Sequence, residues 1–507
     1  MLPRQECRRL CRGRQASAPH LAFETFMAAA CKVTLILTLA ISIGGASGRA
    51  QSAPASPDKV WHSKAEKGLD RELAMRPEAK YEIDPGKNYS LAELIDLAEQ
   101  HNPETRVAWQ EAKARAASLG IARGALYPTI AAVAVAATIR EATLIGEFFH
   151  RQTIGLFAPT LHVEYLVFDF GGRSGIIDAA KANLLIADLT FNDTHRKIIF
   201  AVASAYYSLL NAEGQRTAAE VSLKNAQAVE ENAQSRLDNG LATKPDVLEA
   251  TAARAQADFD LQAAIGAEDI SRGDLATAMG LPPQTPLHVQ AIDELEMPKA
   301  MADSVDQEID RAFAQRPELM QQVARVRAAN ASIKQARSTY FPTLGFSGDG
   351  GLARGYGQQD LIPGSYAQGE AWNVGLQLKW TLFDGTRREH EVAEALAEKR
   401  AAQADIDALR DQIANEVWAA YSNMKTALRQ QQAAAALLVA SSQSYEASRQ
   451  SYGYGVRNLL DVVSAQKALA QARSEDVSAR TQLLLQVANL AFRTADLIQT
   501  QPPKVGP

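Results

Sequence analysis

The hydrophobic period of this chain changes twice, in the same order each time. Helical spacing starts at Ser90 and runs to Leu126, where Tyr127-Pro128 stops it. Period 2 follows. Leu161, Val163, Tyr165 and Val167 fall on one side of an extended chain, with His162 and Glu164 on the other. From Gly172 to Leu237 no proline interrupts a run dominated by Ala, Leu, Lys, Gln and Glu. That run predicts a helix of about 65 residues, roughly 98 Å long. Asn239-Gly240 then turns the chain into a return helix reaching Met279. The second pass has a helix over 304–338, a stop at Phe341-Pro342, and a strand with Trp372, Val374, Leu376, Leu378, Trp380 and Leu382 on one face. Asn373, Gly375, Gln377, Lys379 and Thr381 occupy the opposite face. A second long helix runs from Thr386 to about Tyr452, turns at Gly453-x-Gly455, and returns to Leu497.

The two passes match residue by residue. Ser90 and Glu93 recur as Ser304 and Gln307, two capping boxes 214 residues apart. Asn102-Pro103-Glu104 recurs as Arg316-Pro317-Glu318 at the same spacing, with Pro at a first-turn position that renews the helix. At a spacing of 215, Phe168-Asp169 matches Phe383-Asp384, and Gly240-x5-Asp246-Val247 matches Gly455-x5-Asp461-Val462. Two copies of one unit therefore occupy 90–281 and 304–498. An irregular arm (51–89), a linker (282–303, opening on Pro282-Pro283) and a tail (499–507) account for the rest of the mature chain. The short helices, at about 36 and 38 residues, stack end to end to match one long helix. The termini and linker are thus expected to meet at a belt at mid-height.

The strand pattern points to a membrane. Apolar-out, polar-in strands with aromatics on the apolar face suit an outer-membrane barrel. The flanking helices leave no second sheet to cover that face. Each half has room for two strands, at about 129–139 with 156–168 and 343–351 with 371–383. Four strands cannot close a membrane-spanning barrel, so several protomers must share one.

The N-terminus sets the compartment. Lys32, the apolar run Val33–Ile43 and the small residues around Gly44–Ala50 read as a signal peptide over 1–50, with Met27 a possible true start. Cys7, Cys11 and Cys31 all precede the expected cleavage region, so the mature chain would hold no disulfide, and lipidation is not expected. The net charge is −5, and loss of the basic presequence leaves about −10. No basic patch suggests nucleic acid. The eight histidines are scattered, His390-Glu391 lacks the second histidine of a zinc helix, and no nucleophile–base pair stands out. No enzyme, metal or cofactor is expected.

With the duplicated half, the helix–hairpin–long helix–return order, Phe-Asp-x-Gly at each strand-to-helix junction and Gly-x5-Asp-Val at each tip, the chain resembles the TolC-like family of outer-membrane efflux and secretion channels. The resemblance covers about 85–498. It implies a mainly α fold with a membrane β-barrel portion: a homotrimer with one shared 12-stranded barrel above a long α-helical periplasmic barrel. It also implies outer-membrane lipid around the barrel and, as partners, a periplasmic adaptor and an inner-membrane pump, with passive passage between them. A type I protein secretion outlet is the alternative within the family, and an exported coiled-coil scaffold the alternative outside it.

The resemblance also places a periplasmic gate at Tyr452, Arg457 and Asp461 on the second tip and Asp246 on the first, closed mainly by a Tyr452–Asp246 bond. Pro245 stands where a hydroxyl partner is expected, so Arg457 should use a carbonyl or nothing. Ser464 replaces a second ring carboxylate, making the entrance less acidic. Asp246 and Asp461 also read as helix caps, and threefold symmetry would repeat each into a carboxylate ring. Gly240, Leu241, Ala242, Gly455 and Val456 are the expected adaptor footprint, or turns that need positive φ.

Overall fold

The structure is a computed structural model that describes residues 83–145, 147–298, 304–359 and 364–496, together with Leu69. The signal segment, most of the N-terminal arm, the end of the linker and the tail lie outside the described residues. The chain divides into two units, Met1–Tyr81 and Glu82–Pro507, and every element given a range below belongs to the second.

β1 (Asn88–Tyr89) leads into α1 (Leu91–His101). There Ser90 Oγ accepts from the Glu93 amide while the Glu93 carboxylate accepts from the Ser90 amide at 3.0 Å. Asn102 ends α1 and caps α2 (Pro103–Gly124), because Pro103 has no N–H to continue the α1 ladder. β2 (Thr129–Ile145) and β3 (Phe148–Phe168) form a hairpin, followed by α3 (Gly172–Asp238, 67 residues) and the return helix α4 (Lys244–Ala278). In the linker, β4 (His288–Val289) pairs in parallel with β1. The second copy supplies α5 (Val305–Gln315), α6 (Pro317–Ser338), β5 (Thr343–Gln359), β6 (Ser365–Lys379), α7 (Arg387–Gly453, 67 residues) and α8 (Leu459–Thr494). Ser304 and Gln307 rebuild the capping box ahead of α5.

The strands differ in length from those predicted. β2, β3 and β5 continue outward beyond 139, start before 156 and pass 351, because pairing persists where the alternation fades. β6 starts six residues before 371 and ends at Lys379. Beyond it, Trp380 leaves the ladder and donates Nε1–H to Tyr340 O at 3.1 Å.

The sheet order is β2-β3-β5-β6, antiparallel throughout, with β2 and β6 as open edges. Directly paired residues share a face. Leu378, Leu376, Val374 and Trp372 of β6 therefore lie with Leu344 and Phe346 of β5, and these with Tyr165, Val163 and Leu161 of β3. The opposite face carries Glu164, His162, Asp349, Asn373 and Gln377, and His162 Nδ1 lies 2.7 Å from Asp349 Oδ1. One face thus suits lipid and the other water. Leu376→Arg should cost about 2–4 kcal/mol at the bilayer midplane. Gln377→Arg, facing the lumen, should cost far less. Denaturant unfolding of the assembled protein in bilayers compares the two.

The helices form one wall. The long α3 and α7 run its full height. Nearer the sheet, α2 flanks α3, and α6 fills the gap between α3 and α7. Farther from it, α4 and α8 take those two places. Among the described residues no helix is long and apolar enough to cross a membrane. Small residues buried along α3 (Ala203, Ala212, Ala226, Ala233) let neighbouring helices approach closely.

The short helices stack at two joints, and the joints differ. At the first, Asn102 Nδ2 donates to Ala278 O (2.9 Å) and its Oδ1 accepts from the Glu104 amide (2.8 Å), so one neutral side chain serves both helix ends. At the second, Arg316 takes the matching position between the two long helices and is 4% exposed. It pairs with Glu318 (3.0 Å) and Glu416 (2.8 Å). Arg493 joins Glu416 at 3.0 Å. Arg196 pairs with Glu318 and with Asp193 (2.7 Å), and donates to Phe492 O at 2.9 Å. Glu318 lies in the first turn of α6 and Arg493 in the last turn of α8, each at the helix end its charge favours.

Candidate functional site

At the strand-to-helix junctions the chain must turn sharply, and left-handed residues do this in both copies. They are Phe170 (φ 49°) with Gly171 (98°), and Gly385 (71°) with Thr386 (68°). The predicted Asp169 and Asp384 each hold an arginine one helical turn on. Asp169 Oδ2 accepts from the Arg173 amide at 2.5 Å, and Asp384 pairs with Arg388 at 2.7 Å. Each guanidinium then ties two carbonyls, Ala125 and Val167 for Arg173, and Thr339 and Leu382 for Arg388. The incoming helix turn, the strand end and the outgoing helix are thereby locked together. Sequence reasoning read Gly171-Gly172-Arg173 as a membrane-exit turn but not the clamp that either arginine makes, although Asp-x3-Arg recurs at the repeat spacing of 215. Phe168 meets Phe170 edge-on at 4.7 Å, and Phe170 stacks on Phe341 at 4.9 Å. Phe383 has no such neighbours among the described residues and is 82% exposed.

At the far end of the wall, Gly240 (φ 71°) and Gly455 (φ 75°) make the turns. A Cβ would meet nothing within 4 Å at either, so the positive φ alone favours glycine there. Leu241 and Val456 beside them are widely exposed, and Ala242 is half-buried. Asp246 Oδ2 accepts from both the Thr243 amide and its hydroxyl at 2.7 Å. The hydroxyl and then the amide hold the carboxyl below its ordinary range. On the other tip Asn458 Oδ1 accepts from the Asp461 amide at 2.9 Å, and Asp461 is half-buried.

The expected Tyr452–Asp246 bond is not made. Thr243 holds the carboxylate, and the Tyr452 hydroxyl is buried without a partner among the described residues. Burial raises this phenol above its ordinary value. Arg457 uses neither a carbonyl nor nothing: its Nη1 reaches Ser448 Oγ at 3.3 Å.

Instead Arg236, which the sequence did not single out, joins the hairpins. From the last turn of α3 its Nη1 donates to Tyr452 O (3.0 Å) and Gly453 O (3.3 Å), while its guanidinium lies 4.6 Å from the Tyr452 ring centre. Both carbonyls lie at the end of α7, where a cation is favoured, and Tyr452 O also accepts from the Gly455 amide at 3.0 Å. No signal in the repeat marks it, since Ser451 stands at the matching position. Behind the clasp, Val229, Ala233, Val247, Tyr445, Leu459 and Val462 close the apolar core of the tips.

A membrane-type sheet with two open edges, set on a tall helical wall that ends in two clasped hairpins, defines an outer-membrane duct. The model of the family described as outer membrane efflux protein matches residues 94–281 and 309–495, and the chain belongs to that family. Protein CyaE of Bordetella pertussis is 29% identical over 426 residues, which cover 82% of this chain and 86% of that protein. The alkaline protease secretion protein AprF of Pseudomonas aeruginosa is 23% identical over 404 residues, covering 78% and 82%. The crystal structure of the Campylobacter jejuni CmeC outer membrane channel shares the fold, with a TM-score of 0.67 at 18% identity over 83% of this chain and 93% of that one. The protein is an outer-membrane duct of efflux or secretion systems that extends into the periplasm, from a family of transport channels rather than enzymes. The coiled-coil scaffold reading falls with that membership. Among the described residues no group of His, Cys, Asp or Glu is placed to hold a metal.

Proposed function

We propose that three copies of this chain form the passive exit duct of a tripartite assembly, receiving substrates from an inner-membrane transporter through a periplasmic adaptor. The observation that carries this is the pair of open edges on the four-stranded sheet. An unpaired edge cannot face hydrocarbon, because its N–H and C=O groups would be left without partners. β2 and β6 run in opposite directions, so β6 of one copy pairs antiparallel with β2 of the next, and three copies give twelve strands. The free flanks of α7 and of α2 with α4 would close the wall in the same ring.

Asp246, Tyr452, Arg457 and Asp461 then surround the periplasmic mouth, where rings of Asp461 and Asp246 favour cations. Gly240, Leu241, Ala242, Gly455 and Val456 offer the exposed tips to the adaptor. A protein-secretion outlet remains the second reading, supported by the likeness to a protease secretion protein. The test joins oligomer mass in detergent to conductance in a planar bilayer. Discrete cation-selective channels from a trimer are expected, and a monomer or dimer without channels would overturn the shared barrel.

A further inference from the structure

The outward face of the sheet carries a second pattern beyond its apolar band. Passing outward along each strand, the first charged residue on that face is Glu370 on β6, Arg354 on β5, Arg151 on β3 and Arg140 on β2. The boundary is staggered. Arg354 pairs with Gln368, two residues short of Glu370 in sequence and thus farther out. Arg140 pairs with Thr153, four residues farther out than the Phe157 that faces Arg354. From Glu370 to Arg140 the boundary moves six residues, about 20 Å along the strands across roughly 14 Å of sheet, and Arg151 lies two residues farther out still. Barrel strands tilt by about 35–45°, which offsets residues at one level by roughly 10–14 Å over that width and takes up most of the stagger. The charges therefore form a ring at the outer rim of the apolar band, at headgroup height.

The ring is mainly cationic, three arginines to one glutamate, whereas Glu141 on the inward face of β2 has the opposite sign. Arg140 and Arg354 are exposed. Arg140 Nε donates to Thr153 Oγ1 at 3.0 Å, which anchors the side chain and leaves its terminal N–H groups free to turn outward. Neither Arg140 nor Arg354 pairs with a carboxylate among the described residues, although Glu370 is a diagonal neighbour of Arg354 on the same face. A guanidinium at this height is the side chain best shaped for a phosphate, which it grips with two parallel hydrogen bonds.

We propose that Arg140 and Arg354 bind the phosphate groups of phosphorylated glycolipids in the outer leaflet, fixing a lipid collar around the barrel. This rests on the outward assignment of the face and on the outer-membrane location, and does not depend on which pump the duct serves.

Native mass spectrometry of the assembled full-length protein, incubated with diphosphoryl lipid A or with phosphatidylcholine, tests it. Wild type should retain lipid A in preference to phosphatidylcholine. The Arg140→Gln/Arg354→Gln pair should retain about tenfold less lipid A at unchanged oligomer mass. Glu370→Gln should retain more. If the double variant does not assemble, Arg354→Lys, which keeps charge but loses the fork, should fall between. Equal retention by wild type and variant, equal retention of phosphatidylcholine, or stripping of lipid A by excess inorganic phosphate alone would overturn the proposal. The last result would mark a free-anion site instead.

Discussion

Arg316→Ala is expected to lower the stability of the assembled protein by about 3 kcal/mol, because it empties a buried site and leaves the half-buried Glu318 and Glu416 each one partner short. Arg387→Ala removes an ion pair of similar length, 2.7 Å to Glu391, yet should cost far less, since Arg387 is 77% exposed and its pair is screened by water. Chemical denaturation of both variants makes the comparison, and equal losses would refute the role given to the joint. The pH dependence has a definite sign. Burial alone pushes Glu318 upward, but the Arg316 hydrogen bond and the Arg196 and Arg316 charges outweigh it. For Glu416, burial is outweighed by hydrogen bonds from Gln412 and Arg316 and by the charges of Arg316 and Arg493. Both carboxyls are held below 4.5. Their contribution is therefore complete above that ordinary value and is lost as pH falls through the lower folded one. Wild type should lose stability on acidification below about pH 4.5, and the loss should be shallower in Arg316→Ala.

Arg236→Ala should open the periplasmic end. Its charge-assisted hydrogen bonds and its stacking on Tyr452 together hold the hairpins by about 2 kcal/mol or more. Losing that shifts a closed-to-open balance roughly thirtyfold. Single-channel conductance should rise several-fold in Arg236→Ala. Arg236→Lys should show a partial effect, since lysine lacks the fork and stacks less well. Tyr452→Phe should do little, because the hydroxyl it removes has no partner among the described residues. A large conductance change in Tyr452→Phe with none in Arg236→Ala would restore the phenol as the closing group.

The fold was legible because its signals are long or repeated. Two uninterrupted 67-residue helices, the Pro-stopped short helices, the capping boxes at Ser90 and Ser304, and alternation from Trp372 to Leu378 each use a periodicity that local sequence carries. Strand ends were less legible. Pairing depends on the neighbouring strand, so β2 and β3 continue past the point where alternation is readable. Site partners were the least legible. Arg173 and Arg388 act on carbonyls brought together by the turn, and Arg236 acts across 216 residues on a backbone that no side-chain motif announces. Asp246 was placed at the tip from the motif, and the Thr243-x-x-Asp246 capping box supplies its proton donors, whereas the expected bond from Tyr452 on the other hairpin is not made.

The duplication also bears on how the duct comes together. α3 meets α6 and α8 within a single chain, so the seam between the halves is covalently tethered and forms at an effective concentration on the order of millimolar, whatever the abundance of the protein. In the proposed trimer, that seam would close within each chain before two copies meet. Only the flanks at β2 with α2 and α4, and at β6 with α7, still await partners. Ring closure then becomes an encounter of a few preformed sectors rather than of twice as many half-sized ones, and each sector that need not be captured from solution spares the loss of its translational and rotational freedom.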